Sequence, residues 1–561
     1  MGMKRRMLRY HRVERASVAV TLAVMLASTA PAPEWVRFDW IDYAGVEQGA
    51  PPHAGEYRNP VLPGFHSDPS VVRVGRDFYL VTSTFGWYPG IPVFHSRDLV
   101  HWRQIGSAID RPGQLDFGKL ELSRGVFAPA ISHHAGRFYI ANTCVDCGGN
   151  FLVTARDPAG PWSDPVWLRD VEGIDPSLFF DDDGRAWLVN NRAPAGSAKY
   201  EGHRAIWLQQ VDMETLQTTG PARMIVDGGV DLAAKPVWVE GPHLFKRDGR
   251  YYLSCAEGGT SVQHSQVIFS ADRVEGPYRP APPARQPILT QRDLDPARPD
   301  PVTSAGHADL VDIGGDRWWA VFLATRPYCD NLYATGRETF LLPVTWQGGW
   351  PTILPRGEAI PLVAKRPPLP ASTTASTPVR DAFTAPQPGR AWLMMRNPAG
   401  RWWRTGQGLS LEPRTVGLGA LGNPSFLARR LQHTDATMTT QVALPPGEGV
   451  RAGLAALQND AFFLSETVTR TRDGYRVEVR RRAGAGDPAS GRSVATAMVP
   501  LSAGAKVRLR LRIRGGAADF DWAPERGAWH PVARDVDATN LTTEQAGGFV
   551  GTMVGPFAVR D

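Results

Sequence analysis

Between residues 57 and 362 the chain repeats one pattern of apolar and polar positions five times. A small or acidic anchor leads into an aliphatic strand, then a polar turn holding glycine, then a strand rich in aromatic side chains. The copies read D-P-S-V-V-R-V-G-R-D-F-Y-L from Asp68, A-P-A-I-S-H-H-A-G-R-F-Y-I from Ala128, D-P-S-L-F-F-D-D-D-G-R-A-W-L from Asp175, G-P-H-L-F-K-R-D-G-R-Y-Y-L from Gly241 and H-A-D-L-V-D-I-G-G-D-R-W-W-A from His307. Each predicts a β-hairpin whose turn uses Gly75, Gly136, Gly184, Gly249 or Gly315 to reach positive φ. The anchors are spaced roughly 45 to 65 residues apart, enough for about four short strands per unit. Ala205–Val211, between two copies, alternates as a half-buried strand does. Five such units predict a five-bladed β-propeller over 57–366, because a blade buries both faces only by stacking on its neighbours around an axis.

The pattern breaks at 367–380, a Pro/Ser/Thr linker without hydrophobic period. Strand signals resume over 381–561. Phe463–Arg472 and Tyr475–Arg480 flank a D-G turn, and Val507–Arg514 alternates aliphatic with arginine, so one face is core and the other a solvated guanidinium face. This half predicts a β-sandwich of jelly-roll or concanavalin type, making the whole chain all-β. Residues 33–56, with an aromatic and acidic stretch from Trp35 to Tyr43, read as an N-terminal extension expected to pack across the outside of the propeller.

Composition sharpens this picture in three places. The 561 residues, with 57 Gly, 48 Pro and 18 Trp, suit two turn-rich β domains. Of the net charge of +6, residues 1–30 carry about +5 through Lys4, Arg5, Arg6, Arg9, Arg12 and Arg15 against Glu14. The body is therefore nearly neutral, and no nucleic-acid partner is expected. That basic start, the apolar run Val18–Ala27 and the small residues Ser28–Ala32 have the layout of a secretory signal over 1–32, too short for a stable membrane span, so the protein is expected to be exported. The four cysteines, with Cys144 and Cys147 in a lone C-x-x-C, form neither a disulfide framework nor a zinc set; they read as buried thiols, with one local disulfide if the protein is exported.

The chemistry lies in the anchors. Asp68, Asp175, Glu240 (one residue before its anchor) and His307 begin equivalent inner strands, which in a propeller surround one funnel. Three carboxylates meeting there could bind a cation, or divide into a protonated acid and an ionised base. In the second case a separation of about 5 Å suits direct nucleophilic attack and one of about 6.5–9.5 Å admits a water and gives inversion. Phe85, Trp87, Tyr88 and Phe127 offer flat apolar faces for a sugar ring, and Arg337 could reach its hydroxyls or pair with a neighbouring acid.

These residues resemble glycoside hydrolase family 43, the five-bladed propeller enzymes that include β-xylosidases and α-L-arabinofuranosidases. The resemblance covers about 57–362 and rests on R-N-P-V-L-P-G-F-H-S-D-P-S from Arg58, P-G-I-P-V-F-H-S-R-D-L-V-H-W from Pro89, F-A-P-A-I-S from Phe127, G-I-D-P-S-L-F-F-D-D-D-G from Gly173, V-E-G-P-H-L-F-K-R-D-G from Val239, A-E-G-G-T from Ala256, G-H-A-D-L-V from Gly306 and G-R-E-T-F from Gly336. It implies Asp68 as the base activating water, Glu240 as the acid protonating the leaving oxygen, and Asp175 as the residue tuning and orienting that acid. By the same matching Phe85, Phe127, Thr260 and Arg337 contact the sugar, and His307 sits at the propeller centre near a water or, in some relatives, a structural calcium ion; no cofactor is required. Val239 stands where many relatives have proline, and Phe127 where some have tryptophan. The implied activity is an inverting exo-glycosidase releasing xylose from the non-reducing ends of xylo-oligosaccharides or arabinoxylan fragments. The alternatives are an α-L-arabinofuranosidase, an enzyme with both activities, a retaining fructoside-acting relative, or a non-catalytic sugar-binding propeller. The C-terminal half resembles, more loosely, the accessory sandwich of family β-xylosidases, which can lend a loop that narrows the pocket.

Overall fold

A computed structural model describes Gly2 and residues 35–372, 380–445 and 447–561. The signal expected over 1–32, apart from Gly2, and the linker residues 373–379 lie outside the described residues. Five antiparallel sheets form the propeller, and each begins with the first strand of one repeated hairpin: Ser70–Val74, Ala130–His134, Ile174–Phe180, Glu240–Arg247 and Thr303–Asp312. The turn glycines Gly75, Gly136, Gly184, Gly249 and Gly315 all take φ between 65° and 84°. Alternation puts one row of each blade against the next. Val81 and Val93 meet Ile131 and Ile140 between blades one and two, and Leu152 meets Leu178 between two and three. Phe179 and Val189 meet Leu253 and Phe269 between blades three and four, Ile268 meets Phe322 between four and five, and Val321 meets Leu80 to close the ring. Buried polar contacts key neighbouring inner strands together. The Ser70 hydroxyl donates to Asp309 (2.8 Å), and Gln266 accepts from the Ala308 amide (2.9 Å). The entering segment fastens the last blade, with Asn59 both accepting from the Leu341 amide (2.9 Å) and donating to its carbonyl (3.0 Å).

Past residue 46 the segment 33–56 meets the propeller, where Arg326 donates to Gln48 (3.0 Å), but its strand lies in the second domain. Its strand Val36–Val46 pairs with Asp435–Ala443 on one side and with Leu409–Leu411 on the other, inside a sheet of the C-terminal sandwich. The strand buries Val36, Phe38, Ile41 and Tyr43, so it needs an apolar layer opposite, and the sandwich provides one. The propeller reciprocates: Trp87–Tyr88, from the first blade, pairs with Leu393–Met395 at the edge of the second sheet. The arginine stripe of Lys506–Arg514 faces aspartates of the neighbouring strand Ala517–Pro524, with Arg510 at 2.9 Å from Asp521 and Arg514 at 3.0 Å from Asp519. Cys144 and Cys147 form a disulfide, whereas Cys255 is buried and free and Cys329 exposed and free. Among the described residues no helix is long and apolar enough to cross a membrane.

Phe38 is fully buried in the strand that joins the chain's beginning to its end. Phe38→Ala is expected to destabilise the protein by about 3–5 kcal/mol, read as a lowered midpoint in urea unfolding; a shift of under about 1 kcal/mol would mean that this strand does not support the sandwich.

Candidate active site

The inner strands do not run straight to the propeller mouth. Ladder register shifts between Ile174 and Ser177, between Glu240 and His243, and between Gly306 and Asp309. Asp68, Asp175 and His307 take φ of 55°, 54° and 51°. Such left-handed conformations cost non-glycine residues about 1–2 kcal/mol each. They bend the strand ends and aim the anchor side chains into the funnel. Gly241 is required here: it has φ of 55°, and a Cβ at this position would lie 2.8 Å from the His307 ring.

At this mouth a cavity of about 520 Å³ brings together Asp68, Asp175, Glu240, His307, Phe85, Phe127, Thr260 and Arg337. All three carboxylates are buried, at 4%, 6% and 7% exposure in chain order, so water does little to stabilise their charges. Their environments then separate them. Burial alone would raise the Asp68 carboxyl, but the forked Arg337 guanidinium (3.0 and 3.4 Å), His307 and the Ser83 hydroxyl outweigh it and hold Asp68 below the ordinary aspartate value. His307 is itself pushed down to about 4 by burial, so at neutral pH it is uncharged and Arg337 is the cation that keeps Asp68 ionised. Glu240 has no carboxylate-binding cation in contact. Burial, then Asp175 and Asp68, raise it well above the ordinary glutamate value. Asp175 is raised in the same way by burial and by Asp68, and it accepts a hydrogen bond from the Gly241 amide (3.0 Å), next to Glu240 in the chain. The cavity therefore holds one carboxyl that favours its ionised form beside two that favour the protonated form.

Aromatic rings wall it. Phe85 lies 5.1 Å from Phe127 edge to face, and both lie 5.8 Å from Phe549. Arg337 passes 5.8 Å from Phe85 and 5.5 Å from Phe549, with its Nε buried and unpartnered by protein. Trp87 does not join this wall. It is fully buried, with its ring 6.3 Å from Phe426 of the sandwich, because the strand Trp87–Tyr88 turns it toward the second domain. Two aromatic lining residues were not singled out in the sequence. Trp238, two positions before Glu240, was within reach of the motif; Phe549 lies in the far domain and carried no local signal. The loop bearing Phe549 is pinned to the propeller by the Phe549 amide on Ser123 (2.9 Å) and the Thr552 amide on the Ala334 carbonyl (2.9 Å).

A structural calcium ion at the axis finds an unsuitable donor set. Calcium takes six to eight oxygen ligands, yet Asp68 is engaged by Arg337 and Ser83, and Asp309 by Ser70 and the Val71 amide. Among the described residues no three His, Cys, Asp or Glu side chains are grouped to hold a metal.

A propeller whose mouth holds an ionised base, a protonated acid and an aromatic wall around a sugar-sized cavity defines a glycoside hydrolase. Residues 57–351 match the glycosyl hydrolases family 43, and residues 380–561 match the beta xylosidase C-terminal concanavalin A-like domain. The chain belongs to glycoside hydrolase family 43. It is 36% identical over 508 residues to a xylosidase/arabinosidase of Butyrivibrio fibrisolvens, covering 89% of this chain and 95% of that protein. It is 34% identical to a non-reducing end α-L-arabinofuranosidase of Bacteroides ovatus, over 90% of this chain and 91% of that one. Among solved structures, the xylan β-1,4-xylosidase from Bacillus halodurans C-125 superposes with a TM-score of 0.81 at 34% identity, covering 90% of this chain and 97% of that one.

Arg337→Met removes the cation that offsets the burial of Asp68. The Asp68 pKa then rises, and the acid limb of the kcat/KM profile should move up by about 1–3 pH units. An unmoved acid limb would show that Arg337 does not set the ionisation of the base.

Proposed function

We propose that this enzyme is an inverting exo-β-xylosidase that releases xylose from the non-reducing ends of xylo-oligosaccharides. The observation that carries the reading is the opposite electrostatic setting of Asp68 and Glu240 within one cavity. The terminal sugar packs against Phe85, Phe127 and Phe549, and Arg337 Nε and Thr260 take its hydroxyls. Glu240 gives its proton to the glycosidic oxygen as the bond to the anomeric carbon breaks. Asp68 takes a proton from a water that attacks the opposite face, so the new hydroxyl has inverted configuration. Asp175, through the Gly241 amide, orients Glu240 and by its proximity keeps that acid protonated until it is needed.

The rate should fall on both sides of a plateau. As pH drops through the depressed Asp68 pKa, below 3.8, the base is lost; as pH rises through the raised Glu240 pKa, above 4.5, the acid is lost. Glu240→Gln and Asp68→Asn should each lower kcat on an unactivated xylo-oligosaccharide by about 10²–10⁴-fold. Proton NMR during hydrolysis should show α-xylose as the first product of a β-xyloside. β-Xylose first, or wild-type rates in both variants, would sink the mechanism.

A second reading, hydrolysis of terminal α-L-arabinofuranosides by the same cavity, draws support from the names of the relatives from Butyrivibrio fibrisolvens and Bacteroides ovatus. The ratio of kcat/KM on the two p-nitrophenyl glycosides ranks them: comparable values identify a dual enzyme, and a ratio favouring the arabinoside by more than about tenfold overturns the xylosidase assignment.

A further inference from the structure

A second cavity of about 420 Å³ lies between the propeller and the sandwich; the charged side chains lining it are arginines, and His66 beside them is kept neutral by burial. The sandwich contributes Arg390, Arg429 and Arg430, and the propeller His66 and Arg103; no aspartate or glutamate lines it. Arg429 and Arg430 are 8% and 5% exposed. Three other buried guanidiniums lie against carboxylates, Arg326 on Glu338 at 2.6 Å, Arg396 on Asp460 at 2.7 Å and Arg337 on Asp68 at 3.0 Å. Arg192 and Arg482 are buried on amide and carbonyl oxygens instead. Arg429 and Arg430 also lack a carboxylate, and they differ in lining a cavity. Arg430 Nε donates to the Phe65 carbonyl, and its Nη2 is buried without a partner. Arg429 donates through Nη2 to Gln432 (3.0 Å) and stacks over Tyr43, leaving a buried Nε without a partner. His66 Nδ1, on the same wall, is likewise buried and unpartnered. Asp381 is near enough to act on Arg429, but its oxygens serve the Trp392 indole (2.7 Å) and the Phe383 amide (2.8 Å).

Burial pushes Arg430 down to about 9 and lowers Arg429, as it does when no anion offsets desolvation. An uncompensated buried charge is strongly destabilising. Two buried guanidiniums without a carboxylate, beside a cavity of small-ligand size, are the complement of an oxyanion, whose oxygens match the planar fork of arginine.

We propose that this interdomain cavity binds a small oxyanion, either free phosphate or the carboxylate of an acidic sugar, held by Arg429, Arg430 and His66. Arg103 and Arg390, exposed at the rim, draw it in. The bound anion clamps the sandwich strand Ser425–Arg430 to the Phe65–His66 turn that leads to Asp68. It thereby stabilises the joint between domains without entering the catalytic cavity.

Titration calorimetry of the full chain at fixed ionic strength, with sodium phosphate, sodium glucuronate and neutral glucose, tests this. Saturable one-to-one binding of phosphate or glucuronate is expected, with glucose silent and a melting temperature that climbs with ligand concentration. Phosphate alone binding identifies free phosphate as the ligand class, and glucuronate binding with phosphate silent identifies the sugar carboxylate. Arg430→Met should weaken the bound anion at least about tenfold, as loss of a hydrogen bond to a charged group does. Because that change can loosen the joint itself, the rim double variant Arg103→Glu/Arg390→Glu provides the control. It should lose about tenfold in affinity while unfolding at the wild-type denaturant midpoint in the absence of anion. No saturable binding of either anion, or wild-type affinity in the rim variant, overturns the proposal.

Discussion

Ionising a carboxylate largely withdrawn from water is the demand on which this molecule turns, and a guanidinium, with His307 and Ser83 beside it, meets it. Asp68 is buried, and burial is the largest influence on its proton; Arg337 reverses that influence from two hydrogen-bonding positions. The same low-polarity surroundings act on Glu240 with no such partner, so the same burial produces the opposite protonation state. One physical effect, countered at one site and left unopposed at another, separates two neighbouring carboxyls in proton affinity. The strained left-handed anchors and the register shifts serve this arrangement by bringing the carboxylates to a common mouth.

Arg337 in turn depends on the second domain. It lies between Phe85 of the propeller and Phe549 of the sandwich, and the chain just before it is fitted closely to the loop that bears Phe549. At Gly336 an added Cβ would come within 2.7 Å of Gly551, so two backbones touch where a side chain cannot fit. The C-terminal sandwich is therefore part of the catalytic cavity's wall. It also bears on the cation that sets the base, a closer relation than an appended accessory module requires.

What could be read in the sequence was local or repeated. Each hairpin announces itself through alternation and a turn glycine within about a dozen residues, and repetition made the anchors comparable, so Asp68, Asp175, Glu240 and His307 could be placed at one mouth. Arg337 was legible as a polar residue at a strand entry, with its partner left open between a sugar hydroxyl and an acid; the fold gives it the acid at Nη1 and Nη2 and leaves Nε free. Trp87 shows where such reading stops. Two residues from Phe85, it belongs to a short strand that pairs with Met394 and Met395, and a neighbour in sequence faces another domain. Phe549 and the strand Val36–Val46 were illegible for a related reason: their partners lie in distant parts of the chain, and alternation states that a strand has a buried face without naming what covers it.

The first described strand of this protein is completed by a strand made long after it. Trp40 and Thr440, hydrogen-bonded across the sheet, are separated by 400 positions. At a synthesis rate of about 5–20 residues per second, Val36–Val46 waits about 20–80 s for its partner to emerge. During that interval the blades of the propeller form one after another while this half-apolar strand stays unpaired. The nascent chain thus carries an open β-edge for most of its synthesis, and its passage through the cell is governed by whatever shields that edge until the final domain arrives.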